Sequence, residues 1–392
     1  MRDGDSIELF GGCGGLGLGL ARAGFRSRVF LEWNADAVAT VRFNAERGVA
    51  HVKDWHVAHQ DVRDMRWEGM REGLALVSGG PPCQPFGIGG LKKGETDARD
   101  MWPEAVRAVR ETRPATFMFE NVRNLSGPRF RPYLDWVEQQ LRHAAEEPRR
   151  PKETPADQVA RLHLAPRSYR TTVALVNAAD FGAPQVRHRV LLVGIRADLG
   201  IEPGKPKPTH GMIALLWDQW VTGDYWKRHG LTEPKDDAIP TRFRAEVDRL
   251  RSQMLPPSEH PWVTVRDAVA DLGEPDGRNN HQVQPGARPY AGHTGSPLDW
   301  PAKALKAGDH GVPGGENMMV LSDGSVRYFT LRESARLVGL PDEYGFCRSW
   351  TESMRGLGNA VPVQLGEAAG RWLFDALKRA SPAEYTAVKR AA

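Results

Sequence analysis

The chain of 392 residues predicts an α/β fold: a doubly wound, mostly parallel sheet with a smaller, irregular second domain. Three observations carry that expectation. Short apolar runs alternate with stretches of helical spacing over residues 1–120, the pattern of strands covered on both faces by helices. A glycine-rich turn, Gly11-Gly12-Cys13-Gly14-Gly15, separates the first strand from the first helix. From about Gly200 to Tyr328 the periodicity fades and proline and glycine become frequent, and regular spacing returns at Thr330.

The first strand is expected at Ile7–Phe10 and the first helix over Leu16–Gly24. Val29–Leu31 is the second strand. A helix over Ala35–Asn44 and a short strand ending near Asp61 follow. The run Leu74–Val77, a helix over Pro103–Thr112 and the strand Phe117–Phe119 repeat the alternation. Right-handed crossovers place the strand C-ends on one edge, where such sheets bind ligands. A helix near Tyr133–Ala145 precedes a polar, Pro-rich insert, roughly Glu146–Arg167. Thr171–Val176 and Val190–Ile195 are two further strands that could add an antiparallel edge. Thr330 and Glu333 form a capping box that opens a helix through Leu337, and a last helix runs from Pro362 to Leu377. The expected division is a main domain of residues 1–199 plus 329–392 and a second domain of residues 200–328. Five of the 12 Trp residues fall in the second (Trp217, Trp220, Trp226, Trp262, Trp300), where core packing is the default for such side chains.

Hydrophobic residues make up 40% and charged residues 26%, ordinary values for a soluble globular protein. No apolar run approaches the length of a membrane span. The first strand begins almost at the N-terminus and leaves no room for a signal peptide. Three cysteines (Cys13, Cys83, Cys347) exclude a disulfide framework and fit a reducing cytosol. The net charge of +4 hints at a polyanionic partner, but residues 201–330 hold 15 Lys and Arg against 17 Asp and Glu. Charge therefore does not locate a nucleic-acid surface. No Cys/His spacing supports zinc, and no metal is expected.

The densest chemical signal is Gly79-Gly80-Pro81-Pro82-Cys83-Gln84-Pro85-Phe86. A lone thiol stands at the exit of an apolar strand, in a stiff Pro-Pro turn, exposed and held still. Gly12-x-Gly14-x-x-Gly17 suits close approach of backbone to a ligand at a helix N-terminus, and NAD, FAD and S-adenosylmethionine sites all use such turns. Glu32 ends the second strand, where an acid can hold ribose hydroxyls. Trp33 could stack on a purine, or be an interface aromatic. Asp61 could accept from an adenine amino group, or cap a helix. Glu120-Asn121-Val122 should emerge on the same edge as Cys83. Alternation along Gln185-Val186-Arg187-His188-Arg189 points Gln185, Arg187 and Arg189 to one face.

These pieces, in this order, resemble the C5-cytosine DNA methyltransferases. They are Phe10–Gly15, Glu32-Trp33, Asp61, Pro82-Cys83-Gln84, Glu120-Asn121-Val122 and Gln185-x-Arg187-x-Arg189, then Arg332–Leu337 with Leu340-Pro341, and Gly358-Asn359-Ala360-Val361-Pro362. The resemblance covers about residues 6–195 and 329–377. It implies an S-adenosylmethionine-dependent methyltransferase fold, with target recognition in residues 200–328. It also implies that a cytosine is flipped out of duplex DNA and attacked at C6 by the Cys83 thiolate, so that C5 can accept a methyl group. Gln84 belongs to the same catalytic loop. Glu120, kept protonated by burial, would donate to cytosine N3, Arg189 would bind O2, and Arg187 would support the same pocket. Phe10, Gly12, Gly14, Gly15, Glu32, Trp33, Asp61, Val62 and Asn359 would surround the cofactor, Trp102 would close over it, and the loop Pro85–Arg99 would be a lid. The implied partner is double-stranded DNA, with either a cognate restriction endonuclease or a solitary epigenetic role, no membrane, a monomeric chain and a cytoplasmic setting. The chain departs from the family at Glu8, where Asp is usual, at Gly87 and Gly89, where serine is frequent, and at Pro81, a frequent Phe. A non-catalytic DNA-binding module and a tRNA methyltransferase are the competing expectations.

Overall fold

The computed structural model describes residues 4–71, 73–82, 100–290, 294–308 and 317–380. In chain order the first strands are β1 (Gly4–Leu9), β2 (Phe25–Glu32), β3 (Val57–His59), β4 (Leu74–Gly79), β5 (Thr116–Val122), β6 (Tyr169–Asn177), β7 (Gln185–Val186) and β8 (His188–Arg196). All but β7 form one seven-stranded sheet in the order β3-β2-β1-β4-β5-β8-β6. The five strands from β3 to β5 are parallel. β8 runs antiparallel to both β5 and β6, which supplies the expected antiparallel edge.

The helices α1 (Gly15–Arg22), α2 (Ala35–Glu46), α3 (Trp102–Thr112), α4 (Arg131–Arg142) and α5 (Pro155–His163) accompany these strands. β4 and β5 are continuous apolar runs because both faces are covered, and alternate residues go to different cores. Val77, Phe117 and Phe119 join α3 and α4 residues such as Val106 and Leu134 on one face. Leu76 and Met118 join Leu16 and Leu20 of α1 on the other, each buried Leu worth about 2 kcal/mol. The polar insert after α4 holds a helix that sequence periodicity missed. Thr154 and Asp157 form a reciprocal capping box at the start of α5, and Trp136 Nε1 donates to Gln158 Oε1 at 2.9 Å to dock it on α4.

The later strands are β9 (His210–Gly211), β10 (His260–Pro261), β11 (Ser296–Pro297), β12 (Ala302–Lys303), β13 (Met318–Val320) and β14 (Val326–Tyr328). Helices α6 (Met212–Trp220), α7 (Asp224–Arg228), α8 (Arg244–Arg251) and α9 (Val265–Val269) lie among them. Leu215, Trp220, Trp226, Phe243 and Val247 pack into a core of their own. Trp220 and Trp226 meet edge to face at 5.6 Å, so these indoles are core. The segment is stitched to the sheet's edge by β12, which pairs with β7, while Val265, Ala302, Leu305 and Met319 share a core with Phe329 and Leu337.

Helices α10 (Leu331–Val338), α11 (Trp350–Asn359) and α12 (Val363–Arg379) close the chain. The capping box predicted at Thr330 and Glu333 is present in both directions. Arg332 is fully buried and fastens this end: it donates to Asn279 O, Pro341 O and Tyr344 O at 2.7–3.1 Å. α12 packs on α1 through small residues. A Cβ at Gly15 would overlap Val361 O, and at Gly366 it would meet Leu16 O at 3.1 Å. The last helix therefore braces the first turn of the chain.

Candidate active site

Two groups of residues meet at the C-terminal edge of the parallel strands. The first surrounds the turn between β1 and α1. Phe10 has φ 56° and Gly14 has φ 83°, so the chain reverses tightly before α1 begins. The glycines are dictated by what lies beneath them. A Cβ at Gly11 would overlap the Phe30 ring, at Gly14 it would meet Trp55 at 3.0 Å, and at Gly17 it would overlap Glu8 Oε2. Phe30 and Trp55 stack at 4.9 Å and form the floor.

The Glu32 carboxylate faces this turn and accepts from Gly12 N at 2.8 Å, Trp33 N at 2.9 Å and Asn34 N at 2.7 Å. A carboxylate has about four acceptor positions, so one remains for a ribose hydroxyl. Trp33 beside it is 69% exposed, the surface an adenine ring would cover. A carboxylate with a spare lone pair next to an open indole fits an adenosyl group. Asp61 caps the turn Val62–Asp64 and is gripped by Arg63 at 3.0 and 2.6 Å, which holds its carboxyl below the usual range. Val62 is buried under it, and its carbonyl accepts from Arg107 at 2.7 Å. Asn359 is exposed at the end of α11.

Glu8 departs from the expected pattern in charge as well as length. It is 4% exposed, and its carboxyl accepts from Gly17 N at 3.1 Å under the first turn of α1. Burial, against the Gly17 bond and helped by the nearby Glu32, pushes its pKa up to about 8. Cys13, in the same turn, is an inert core thiol: burial pushes it up to about 12.

The second group centres on β5 and β8. Register places Glu120 opposite Leu191 and Val122 opposite Arg189, and Arg189 Nε lies 2.5 Å from Glu120 Oε1. Both side chains are largely buried. The other Glu120 oxygen would lie 3.3 Å from a Cβ at Gly80, so the pair borders the turn that leads to Cys83. Asn121 fastens that turn, donating from Nδ2 to Pro81 O at 2.9 Å while its Oδ1 accepts from Val122 N. Cys83, Gln84 and the expected lid Pro85–Arg99 lie outside the described residues.

Two of the expected site residues are held inside the protein. Arg187, expected to support the pocket of Arg189, is 2% exposed and donates to Leu305 O at 2.9 Å and Gly358 O at 2.7 Å. The short strand β7 before it lies outside the main sheet and pairs with β12. Arg187 is instead a staple between the second region and the residue before Asn359. Trp102 does not close over a ligand surface. It is 1% exposed, at the first turn of α3, with its ring edge-on to Phe119 at 5.7 Å. The Asn121 bond and the Phe30–Trp55 floor were not foreseen; both join residues distant in sequence.

A family model for C-5 cytosine-specific DNA methylase matches residues 4–145 and 151–375. The Type II methyltransferase M.NgoMIV of Neisseria gonorrhoeae is 30% identical over 95% of this chain and 98% of that protein. M.XorII of Xanthomonas oryzae pv. oryzae is 26% identical over 95% of this chain and 85% of its own length. Among solved structures, S. pombe Dnmt2 methyltransferase shares the fold, with TM-score 0.53 and 16% identity over 95% of this chain and 99% of that one. The chain belongs to the C-5 cytosine-specific DNA methylase family.

Proposed function

We propose that this enzyme of cytosine methylation works on duplex DNA as a sequence-specific modification methyltransferase, with Cys83 as its nucleophile and Glu120 and Arg189 as its base-holding pair. The observation that carries the reading is the 2.5 Å Arg189–Glu120 contact at the strand edge beside the Pro81-Pro82 turn. A flipped cytosine entering there meets a carboxyl group at its N3 edge and a guanidinium at O2. Attack of the Cys83 sulfur on C6 forms a C–S bond and moves the ring's electrons toward C5 and N3. Glu120, in its protonated form, donates that proton to N3 as the charge develops. Gln84, next to Cys83 in the sequence, is assigned to the same catalytic loop. Once C5 carries the methyl group, loss of its remaining proton to solvent restores the C5–C6 double bond and expels the thiolate.

When bound, S-adenosylmethionine supplies the methyl group in activated form. Phe10, Gly12, Glu32, Trp33, Asp61, Val62 and Asn359 would hold it, with Gly14 and Gly15 shaping the turn beneath. Glu32 would receive the ribose and Trp33 the adenine. Residues 200–328 would read the DNA target, and residues 1–199 plus 329–392 would carry the chemistry. The Type II names of the relatives support a place beside a cognate restriction endonuclease. Among the described residues no helix is long and apolar enough to cross a membrane; a monomer acting in the cytoplasm on chromosomal DNA completes the proposal.

The test is bisulfite sequencing of DNA from cells expressing the chain. Protection of cytosines at one recurring sequence, lost in Cys83→Ser, is expected. Methyl transfer to tRNA with none to duplex DNA would overturn the reading.

A further inference from the structure

We propose that Arg123 and His188 clamp one DNA phosphate beside the flipped cytosine, at the mouth of the Glu120–Arg189 pair. The proposal rests on the DNA methylation reading above. Arg123 opens the single turn Arg123–Ser126 directly after β5, so the strand that carries Glu120 also fixes its place. Cross-strand register sets Val122 opposite Arg189 and Asn177 opposite His188. Arg123 and His188 thus stand on adjacent strand ends, and both are exposed.

The adjacent cation is already neutralised: Arg189 pairs with Glu120. Arg123 has no carboxylate partner among the described residues. The groups acting on His188 are Arg123, Asp180 and Arg189. Asp180 accepts from Trp262 Nε1 at 3.0 Å, which turns one of its oxygens away from His188. His188 is held below the ordinary imidazole value, first by burial and then by Arg123, with Asp180 opposing them. An anion between Arg123 and His188 would offset the Arg123 effect. A phosphodiester suits the place, because a guanidinium fork takes two of its oxygens and an imidazole N–H donates a third bond.

The ledge also leads somewhere. Thr209 N donates to Asp180 O at 2.9 Å, and the His210 and His260 rings on β9 and β10 lie 5.4 Å apart just beyond. A phosphate held by Arg123 and His188 thus sits beside the Glu120–Arg189 pair, and the Asp180–Thr209 bond ties the His188 side of that ledge to the second region. Phosphate contacts of this kind set register without reading bases.

The test uses a short duplex carrying the sequence mapped by bisulfite sequencing, with affinity followed by fluorescence anisotropy across a salt series. R123Q should weaken binding about tenfold and lower the slope of log Kd on log salt by about 1. R123K should keep the slope while losing part of the affinity. H188N should flatten the loss of affinity from about pH 6 to pH 8, because the wild type takes up a proton on binding. Methylphosphonate is then scanned through the phosphates flanking the target cytosine. At one position it should weaken the wild type and cost R123Q nothing further. A wild-type salt slope in R123Q, or effects that simply add at every position, would overturn the clamp. If the wild type still methylates that duplex, only the clamp has failed. If no site can be mapped, the DNA methylation reading fails and the clamp with it.

Discussion

Glu8→Gln removes the buried carboxyl beneath the turn between β1 and α1. In the folded chain the Glu8 carboxyl titrates near 8 rather than 4.5, chiefly because burial disfavours its charge. At 1.36 kcal/mol per unit the rise corresponds to at most about 5 kcal/mol, and relaxation around a forming charge brings it to the order of 2–4 kcal/mol. A folded value above the unfolded one means the folded state binds the proton more tightly. The stabilisation is therefore complete below about pH 4.5, shrinks as pH rises, and is gone above about pH 8. Gln keeps an acceptor for the Gly17 amide and has no proton to lose. Urea denaturation of both proteins from pH 5 to pH 9 measures the difference directly. Carboxylates elsewhere, such as Asp342 and Asp271 held low by Arg336, cancel in it. The wild type should lose on the order of 2–4 kcal/mol relative to the variant across that range. Parallel stability curves would refute the buried, neutral carboxyl.

Three further outcomes are expected. Gly17→Ala presses a methyl group on Glu8 Oε2 and leaves 2.9 Å to Trp55, so it should cost about 1–3 kcal/mol in thermal denaturation and weaken S-adenosylhomocysteine binding in calorimetry. Asn121→Ala strips Pro81 O of its donor, and should lower kcat about tenfold or more while S-adenosylhomocysteine affinity stays unchanged. Arg187→Met leaves Leu305 O and Gly358 O without that donor, and should destabilise by about 2–4 kcal/mol, with Arg187→Lys recovering part of the loss.

The strands of the sheet were legible because burial on both faces writes continuous apolar runs such as Leu74–Val77 and Phe117–Phe119. Their C-terminal edge then had to gather Glu32, Asp61 and Glu120. The α10 cap was legible because Thr330 and Glu333 are local partners. α11 was not, since Gly356 and Gly358 interrupt its pattern and its place comes from packing. α5 hid in a polar, Pro-rich stretch. The roles of Gly14 and Gly17 depend on Trp55 and Glu8, which only the fold brings beneath them. The carbonyl partners of Arg187 were not legible, because Leu305 and Gly358 are far from it in sequence and only the fold brings them together. Trp102 was misplaced because an indole at the start of a helix looks the same in sequence whether it faces a ligand or Phe119.

Covalent capture tests the central claim most directly. The chain is incubated with S-adenosylmethionine and a duplex carrying 5-fluorocytosine at the mapped site, then digested for peptide mass spectrometry. The account predicts a stable adduct joining the base to the peptide that contains Cys83, absent in Cys83→Ser. An adduct on any other residue, or methylation of ordinary DNA by Cys83→Ser, would contradict it.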